Sequence, residues 1–359
     1  MLQTKTKKVL IGVFDWGLGH ATRDTPLIEE ILRRGYKLDI LSTGRALVLL
    51  KKKFGNRCRY FDVPSIDAPY PKHKYFVFSF TVSIPEMLFS INQARRLSAK
   101  IISKEKYDIV ISDCRYDVYD KPNNSYLINH QVRFDCPSFG EKAAEKWLAS
   151  RYKKYKYVLV PDFQKNNLTG RLSHNLLYVK GKKLKYVGIL SQVKQRKLDQ
   201  DIDYFISISG PEPQRTALEK VMRAKLNKLK GKIVVALGKP EIEKTSSGKN
   251  IQIYGYLDSI KQEEMMNRSK FIICRSGYTT VMELTELGNK KVLFIPTPGQ
   301  TEQVYLAKLY EKKKYFHFVE QQNLDILKDI AIARKFNGFI PEWKTKDSVD
   351  KILDIIGLN

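Results

Sequence analysis

The chain has 359 residues, which is too long for one compact core and suits two domains of about 150–200 residues each. With 43% hydrophobic and 28% charged residues it has the composition of a folded globular protein, and the lack of a run of about 18 apolar residues argues against a membrane-spanning helix. The net charge of +26 is spread along the chain without a nucleic-acid-binding motif. We therefore expect no nucleic-acid partner; an anionic membrane, an anionic substrate and a general lysine bias remain open.

The N-terminus and the cysteines favour a cytoplasmic protein. The first residues run directly into a strand pattern, so we predict no signal peptide. The four cysteines are scattered and form no C-x-x-C pair. This favours reduced thiols over a disulfide framework or a zinc site.

The first half of the chain alternates apolar strand patterns with helical patterns. Strands are predicted over residues 8–14, 37–43, 107–113, 126–131 and 157–162. Between the first two, "TPLIEEILRRG" predicts a helix, with Pro26 in its first turn and Gly35 at its C-cap. Strands as apolar as these indicate a parallel sheet that is buried on both faces.

The second half repeats this pattern after a polar, aperiodic segment, 190–203, which we interpret as a solvated interdomain linker. Strands are predicted over 204–210, 232–238, 250–257, 270–277, 290–299 and 314–319, with helices after most of them. The predicted fold is α/β, with two tandem doubly wound Rossmann-like domains. Ligands of such sheets bind beyond the carboxyl ends of the strands, and we expect the site in a cleft between the domains.

The stretch "WGLGHATR" (16–23) carries the first candidate site. Gly17 and Gly19 permit a sharp turn and a close approach to a ligand, and the helix that follows offers free N–H groups to an anion. We predict that Arg23 joins them in a phosphate or acceptor loop and that His20 acts as a base or as a hydrogen-bond donor to an anion, with the base as the favoured role. Thr22 stands where a dinucleotide fingerprint needs a third glycine, so a standard nicotinamide site is excluded.

A purely structural role for this stretch, in which His20 caps the helix and Arg23 pairs with Asp24 or Glu29, remains open. Asp113, at the end of "YDIVISD", is a second candidate base or acceptor-binding group. Its alternative role is that of a helix N-cap.

Three loops of the second half are candidate donor sites. "SGPEPQR" (209–215) offers a turn that approaches a phosphate, through Ser209, Gly210 and Arg215. "CRSGYTTVMELTELG" (274–288) places hydroxyls and open N–H groups at a helix start, with a carboxylate one turn later that suits the hydroxyls of a ribose. Its candidate residues are Ser276, Gly277, Thr279, Thr280 and Glu283. The alternative is a capping box, with Thr279 as the cap and Glu283 as its acid.

"PTPGQTEQ" (296–303) is a rigid loop after a strand, and its Glu302 and Gln303 have side chains suited to sugar hydroxyls.

Together these motifs resemble the two-domain glycosyltransferases of the GT-B fold, specifically the MurG-like group of family 28. "GLGHATR" resembles the Gly-rich N-terminal loop of that group, and "RSGYTTVMELTELGNKKVLFIPTPGQTEQ" resembles its donor-binding block. The resemblance implies an acceptor domain over 1–192, a donor domain over 193–345 and a helix over 346–359 that returns to the first domain. Two departures are Leu18, which takes the space of a glycine, and Thr-Glu-Gln in place of a pair of glutamines.

The resemblance implies an inverting transfer of a sugar, a hexose or N-acetylhexosamine, from a UDP-linked donor. It places the ribose on Glu283, the diphosphate on the hydroxyl loop, the sugar on Glu302 and Gln303, and the base against Tyr256 and Leu257. His20 or Asp113 would deprotonate the acceptor. We expect no metal and no cofactor beyond the nucleotide-sugar co-substrate, since no Asp-x-Asp pair lies in a suitable loop and "DQDID" (199–203) reads as solvated.

The acceptor is left open between a lipid-linked alcohol and a glycan. The aromatic segment 74–91, with Phe76, Phe78 and Phe80, suits either a lipid-binding loop at an anionic membrane or a buried strand and helix. Peripheral attachment to the inner face of the membrane is therefore one expectation. Competing functions are a nucleotide-sugar hydrolase or epimerase of the same fold and, more remotely, a basic nucleic-acid-binding protein.

Overall fold

The computed structural model describes residues 6–65, 84–134, 138–239, 242, 244–288 and 290–359, without the side chains of 84–88, 138–139 and 244–247. The chain divides into two compact units, Met1–Leu190 with Trp343–Asn359, and Ser191–Glu342. Phe76, Phe78 and Phe80, proposed for a lipid-binding loop, lie outside the described residues.

The first unit is built on a parallel seven-stranded sheet in the order β3-β2-β1-β4-β5-β6-β7. Its strands are β1 (Lys8–Val13), β2 (Lys37–Ser42), β3 (Arg59–Asp62), β4 (Ile109–Asp113), β5 (Ser125–Ile128), β6 (Tyr157–Val160) and β7 (Leu184–Tyr186). Its helices up to the unit boundary are α1 (Gly19–Arg33), α2 (Gly44–Phe54), α3 (Ile84–Glu105) and α4 (Ser138–Tyr152).

The second unit has a seven-stranded sheet in the order β10-β11-β9-β8-β12-β13-β14, in which only β10 runs antiparallel to its neighbour among the described strands. Its strands are β8 (Ile202–Ser207), β9 (Ile233–Ala236), β10 (Lys244–Ser247), β11 (Ile251–Tyr254), β12 (Ser269–Cys274), β13 (Lys291–Phe294) and β14 (His317–Phe318). Its helices are α5 (Gln214–Arg223), α6 (Ser259–Arg268), α7 (Tyr278–Leu287), α8 (Thr301–Lys312) and α9 (Ile326–Ala333).

The last helix, α10 (Thr345–Ile356), belongs to the first unit and confirms the predicted return of the chain. It packs against α1: Arg34 binds Asp350 (Nη2–Oδ1 2.6 Å) and the carbonyl of Leu358 (2.9 Å). Its apolar face, with Ile352 and Leu353, is fully buried. Burial of this stripe anchors the helix, since a helix this short is marginal alone.

Both sheets have the strand order of a doubly wound fold, which confirms the predicted fold class. In each sheet the order reverses beside the first strand, between β1 and β4 and between β8 and β12. The central strands are buried and apolar, with β4 fully buried along its length, because helices cover both faces of such a sheet. The crevice outside the carboxyl ends of the strands at these reversals is where this fold binds ligands.

The structure corrects the prediction of α1. The helix begins at Gly19, so Pro26 lies inside it and not in its first turn.

The structure also corrects the solvated linker. Ser191 and Val193 are buried, and β8 begins within the segment, at Ile202. The backbone N–H groups of Lys194 and Arg196 donate to α6, to Glu263 Oε2 (2.9 Å) and Asn267 Oδ1 (2.7 Å). The segment is therefore packed although it is polar, because its partners are side chains distant in sequence.

Three strands, β3, β7 and β10, are short and were not predicted. The acidic run at 199–203 is not merely solvated, because Asp201 pairs with Lys232 and Arg268.

Within the described residues, no helix combines the length and apolar character needed to cross a membrane.

Candidate active site

The candidate base of the first unit lies where the strand order of its sheet reverses, between β1 and β4. His20 is in the first turn of α1, directly after β1, and Asp113 ends β4, the strand paired with β1. His20 Nδ1 lies 2.9 Å from Asp113 Oδ2, and the Asp113 side chain is fully buried. Since an ionised carboxylate only accepts, the proton of a neutral His20 lies on Nδ1, and the lone pair of Nε2 is left to act as a base.

Arg23 lies on the same side of α1 and is turned inward. Its Nε donates to Asp113 Oδ2 (2.9 Å) and its Nη2 donates to Oδ1, while the side chain is only 1% exposed. Its Nη1 lies 2.9 Å from Nδ1 of His130. The structure thus engages Arg23 within the protein, whereas its sequence motif predicts a place in a phosphate or acceptor loop. The alternative in which Arg23 pairs with a nearby acid of α1 gives way to the pair with Asp113.

The environment fixes the protonation of this pair. Burial opposes ionisation of Asp113, but the charge of Arg23 and the contact with His20 outweigh it and hold the pKa of Asp113 well below its usual range. Burial also lowers the pKa of His20, and the charge of Arg23 adds to this against the opposing effect of Asp113. His20 is thus neutral near neutral pH, the form in which an imidazole can accept a proton, whereas the ionised Asp113 is a much weaker base and accepts the hydrogen bond of His20 Nδ1.

The structural alternatives for His20 and Asp113 do not hold. No side chain caps α1, whose N-cap is Leu18, and Asp113 is a strand residue and not a helix N-cap. Gly17 has a φ of +75° and is exposed, so the chain turns from β1 into the helix through a conformation that favours glycine. Gly19, the first residue of α1, is half-buried.

Three further polar residues belong to this cluster and were not singled out from the sequence. His130 follows β5, Cys114 follows Asp113 with its Sγ 3.6 Å from Arg23 Nη2, and Asp24 is fully buried beside Arg23. The only signal for His130 was its position just after a strand, in "INHQ". Asp24 was considered only as a possible partner of Arg23, because helix periodicity does not show which polar residues the sheet covers.

The donor atoms of His20, Asp113 and Cys114 lie within 4.8 Å of one another, which is a spacing that metal ligands also show. The guanidinium of Arg23 already donates to Asp113 and contacts Cys114. A cation at this point would face a fixed positive charge, so these side chains suit a hydrogen-bonded His–Asp–Arg cluster better than a metal site.

In the second unit, Glu283 is a buried carboxyl group on α7. The residue is 3% exposed, and burial raises its pKa to about 7 against a weaker opposing hydrogen bond from Gln192. Gln262 Nε2 lies 3.5 Å from its Oε2. α7 begins at Tyr278 with Gly277 as N-cap and no side-chain cap, so the capping-box alternative for Thr279 and Glu283 is wrong. A buried acid held by neutral amides near a helix start is unusual outside ligand sites.

The turn before α7 is tied to the proline loop. Ser276 is fully buried and its Oγ donates to the carbonyl of Gln303 (2.9 Å), so this hydroxyl is engaged within the protein. The Oε1 of Gln303 accepts from the N–H of Thr297 (2.9 Å). Thr279 and Thr280 lie half-buried in the first turn of α7.

The remaining predicted donor residues lie after neighbouring parallel strands and hence at the same edge of the sheet. Gly210, after β8, has a φ of +112°, and a Cβ there would lie 3.6 Å from Thr297 Oγ1. Arg215 is engaged internally, with its Nε 2.9 Å from Glu212 Oε1 and its Nη1 on the carbonyl of Gly238. The others are Ser209, which is exposed, Leu257, which is buried, and Tyr256 and Glu302, which are half-buried.

Arg275 is the residue of this edge that the sequence did not reveal. It is fully buried, and burial without a carboxylate partner lowers its pKa to about 10. Its guanidinium donates to the carbonyls of Pro296 (2.9 Å) and Gln214 (3.0 Å) and to Gln321 Oε1 (3.0 Å). It thus clamps the proline loop and the start of α5 to the turn before α7.

Comparison with known proteins agrees with this geometry. Residues 212–335, which span most of the edge just described, match the glycosyltransferase family 28 C-terminal domain. The second unit is thus similar, over most of its length, to the C-terminal domain of family 28 glycosyltransferases. The resemblance seen in the motifs is thereby confirmed for the donor-binding block.

Whole-chain similarity extends to both units at low identity. The chain is 22% identical to an uncharacterized glycosyltransferase of Methanosarcina mazei over 331 residues, 86% of this chain and 84% of that protein. MurG of Acinetobacter baumannii has a TM-score of 0.58 at 13% identity, covering 98% of this chain and 99% of that one. UGT89C1 of Arabidopsis thaliana, solved with UDP, gives the same TM-score and identity, over 98% and 100% of the two chains. These structures establish the GT-B fold.

Proposed function

We propose that this protein is an inverting glycosyltransferase that moves a sugar from a UDP-linked donor to an acceptor hydroxyl. The observation that carries the proposal is the buried Glu283, held by neutral amides beside the uncapped start of α7, within a region that matches a family 28 domain. A carboxylate in this position accepts hydrogen bonds from both hydroxyls of a ribose. UDP is the proposed nucleotide because of the resemblance to the MurG-like group.

The donor diphosphate binds at the start of α7. The N–H groups of the first turn carry the positive end of the helix dipole, and the hydroxyls of Thr279 and Thr280 lie in that turn. Gly277 lets the phosphates approach the backbone, while Ser276 holds the turn against Gln303. Glu302 and Gln303 contact the sugar, and Tyr256 and Leu257 border the base.

Transfer is a single displacement at the anomeric carbon. The acceptor oxygen forms a bond to this carbon while the bond to the diphosphate oxygen breaks, and UDP leaves with the electron pair. Nε2 of His20 takes the acceptor proton, and Asp113 stabilises the imidazolium that forms. Attack opposite to the leaving group inverts the configuration.

Stabilisation of the leaving diphosphate needs no metal in this proposal. Helix N–H groups and hydroxyls are preorganised for the charge that develops on UDP. In the first unit, the cluster of His20, Asp113 and Cys114 is unsuited to a cation because Arg23 lies within it.

We further propose that the acceptor is lipid-linked and that the protein binds the anionic inner face of the membrane. Support comes from the net charge of +26 and from two exposed apolar residues on α3, Phe89 (64% exposed) and Leu97 (47%). Flotation with phosphatidylglycerol vesicles, but not with phosphatidylcholine vesicles, is the expected result. Equal behaviour with both, or no flotation with either, contradicts this part of the proposal.

The function is tested by calorimetry with UDP-, GDP-, TDP- and CDP-sugars, followed by product analysis with and without a lipid extract as the acceptor source. We expect saturable binding of a UDP-sugar, and sugar transfer only when the extract is present. UDP release at full rate without extract would instead indicate a hydrolase, and an isomerised donor would indicate an epimerase.

A further inference from the structure

Arg23 occupies an unusual position for an arginine next to a candidate base. It lies between the carboxylate of Asp113 and the ring of His130 and has almost no contact with solvent. Because an arginine side chain only donates, Nδ1 of His130 must accept from it. The guanidinium thus makes its hydrogen bonds within the protein, so in this arrangement Arg23 is not available to bind a substrate phosphate.

The geometry couples Arg23 to His20 through one oxygen. Asp113 Oδ2 lies 2.9 Å from both Arg23 Nε and His20 Nδ1. Arg23 Nη2 donates to the other oxygen, so two parallel N–H groups fix the plane of the carboxylate. The carboxylate cannot rotate away from His20 without breaking a buried ion pair, and this keeps Nε2 of His20 directed away from Asp113.

Burial lowers the pKa of His20 most, and among the neighbouring charges Arg23 adds to this lowering while Asp113 opposes it. The neighbours of His20 are Asp113 and Cys114 from the end of β4, Arg23 from α1 and His130 from the end of β5, while Asp24 of α1 interacts with Asp113 and Arg23. Burial raises the pKa of the Cys114 thiol, which is therefore neutral. Burial and the charge of Asp113 likewise raise the pKa of Asp24 well above its usual range. Near neutral pH the fixed charges are those of Arg23 and Asp113.

We propose that Arg23 is a positioning residue, which holds Asp113 against His20 and sets the pH below which His20 no longer acts as a base. This inference rests on the proposed role of His20 in sugar transfer. It assigns Arg23 to the proton-transfer machinery of the first unit, in place of the phosphate loop that its sequence position suggested.

The direct test is a histidine NMR titration of the whole protein, with the His20 signal assigned by its loss in His20→Gln. Removing the positive charge in Arg23→Met stabilises the imidazolium, so the midpoint for His20 should rise by about 1–2 units. Arg23→Lys keeps the charge, and its midpoint should stay within about half a unit of wild type. Asp24→Asn is the matched control on the same helix turn. It replaces a neutral acid with a neutral amide and should leave the midpoint unchanged.

Activity gives an independent readout. Arg23→Lys holds the carboxylate through one point donor instead of a planar fork, so kcat for transfer should fall about tenfold with KM for the donor unchanged. The proposal is overturned if the His20 midpoint is unshifted or lowered in Arg23→Met. It is also overturned if that midpoint is lowered in Asp24→Asn, or if kcat of Arg23→Lys equals that of wild type. If Arg23→Met does not fold, the Lys and Asn variants decide.

Failure of the proposed function is distinguishable from failure of this inference. Wild-type transfer by His20→Gln would refute His20 as the base. The titration would still report whether Arg23 controls the protonation of His20.

Discussion

Replacement of Glu283 by Gln should stabilise the second unit while weakening donor binding. In the folded protein the pKa of Glu283 is about 7, against an ordinary value of 4.5. The native state therefore binds this proton more tightly than the unfolded chain does. The stability that the neutral acid contributes is complete below pH 4.5 and is lost as pH rises to about 7.

The size of the loss follows from the shift. A rise from 4.5 to about 7, at about 1.4 kcal/mol per unit, corresponds to about 3 kcal/mol of lost stability at pH 8. The neutral amide of Glu283→Gln avoids this cost, so the variant should exceed wild type by up to about 3 kcal/mol at pH 8. The difference should shrink towards pH 5. At pH 8 the stability difference corresponds to an increase of about 1–2 M in the urea midpoint of Glu283→Gln over that of wild type.

The assay must report on the second unit alone. All three tryptophans, Trp16, Trp147 and Trp343, belong to the first unit, so tryptophan fluorescence is unsuitable. Urea unfolding read by hydrogen exchange of peptides from the buried strand β12 at pH 5 and pH 8 measures the right unit. Glu264→Gln is the control, because this acid is half-exposed on α6 and pairs with Arg268 (2.5 Å). It should give no gain at pH 8.

Glu283→Gln should also bind the UDP-sugar about 10–100-fold more weakly than wild type, because it loses charge-assisted hydrogen bonds to the ribose. A gain in stability together with a loss of affinity is the signature of an acid retained for binding. The reasoning is refuted if Glu283→Gln is no more stable than wild type at pH 8, or if its advantage is the same at pH 5.

His20→Ala should lower kcat by at least about 100-fold while calorimetric donor affinity stays at the wild-type value, and weakened donor binding would contradict its role as base. In wild type the acid limb of kcat/KM should lie below pH 6.5, because the pKa of His20 is lowered and its neutral form is active; a limb above that value argues against His20. Arg275→Lys should lower donor affinity, because a single ammonium cannot clamp three loops, and unchanged calorimetry would separate this clamp from the donor site. Gly188→Ala should lower the melting temperature of the first unit, read by tryptophan fluorescence, because Gly188 has a φ of +87° and its new Cβ would overlap Trp343; an unchanged value would contradict this packing.

The sequence predicted those parts of the fold whose signal is local. The buried strands and the final amphipathic helix carry strong apolar patterns and were found. β3, β7 and β10 are short, and the segment before β8 is held by Glu263 and Asn267, which lie far away in sequence. Local pattern carries no information on such partners.

The candidate site divides in the same way. Motif spacing identified Glu283, His20 and Asp113 because each lies at the end of a strand or within the first two turns of a helix that follows one. The inward turn of Arg23, the neutral burial of Asp24 and the clamp by Arg275 depend on how β4, β5 and the proline loop pack. These are consequences of the assembled sheet, which residue type and local pattern do not reveal.

Calorimetric titration of wild type and Glu283→Ala with a UDP-sugar tests the central claim most directly. The proposed function predicts saturable binding to wild type with one site, and a loss of at least about tenfold in affinity for the variant at pH 8. Binding that is equal in the two proteins, or no binding of any nucleotide-sugar to wild type, would contradict the assignment of the second unit as a nucleotide-sugar site.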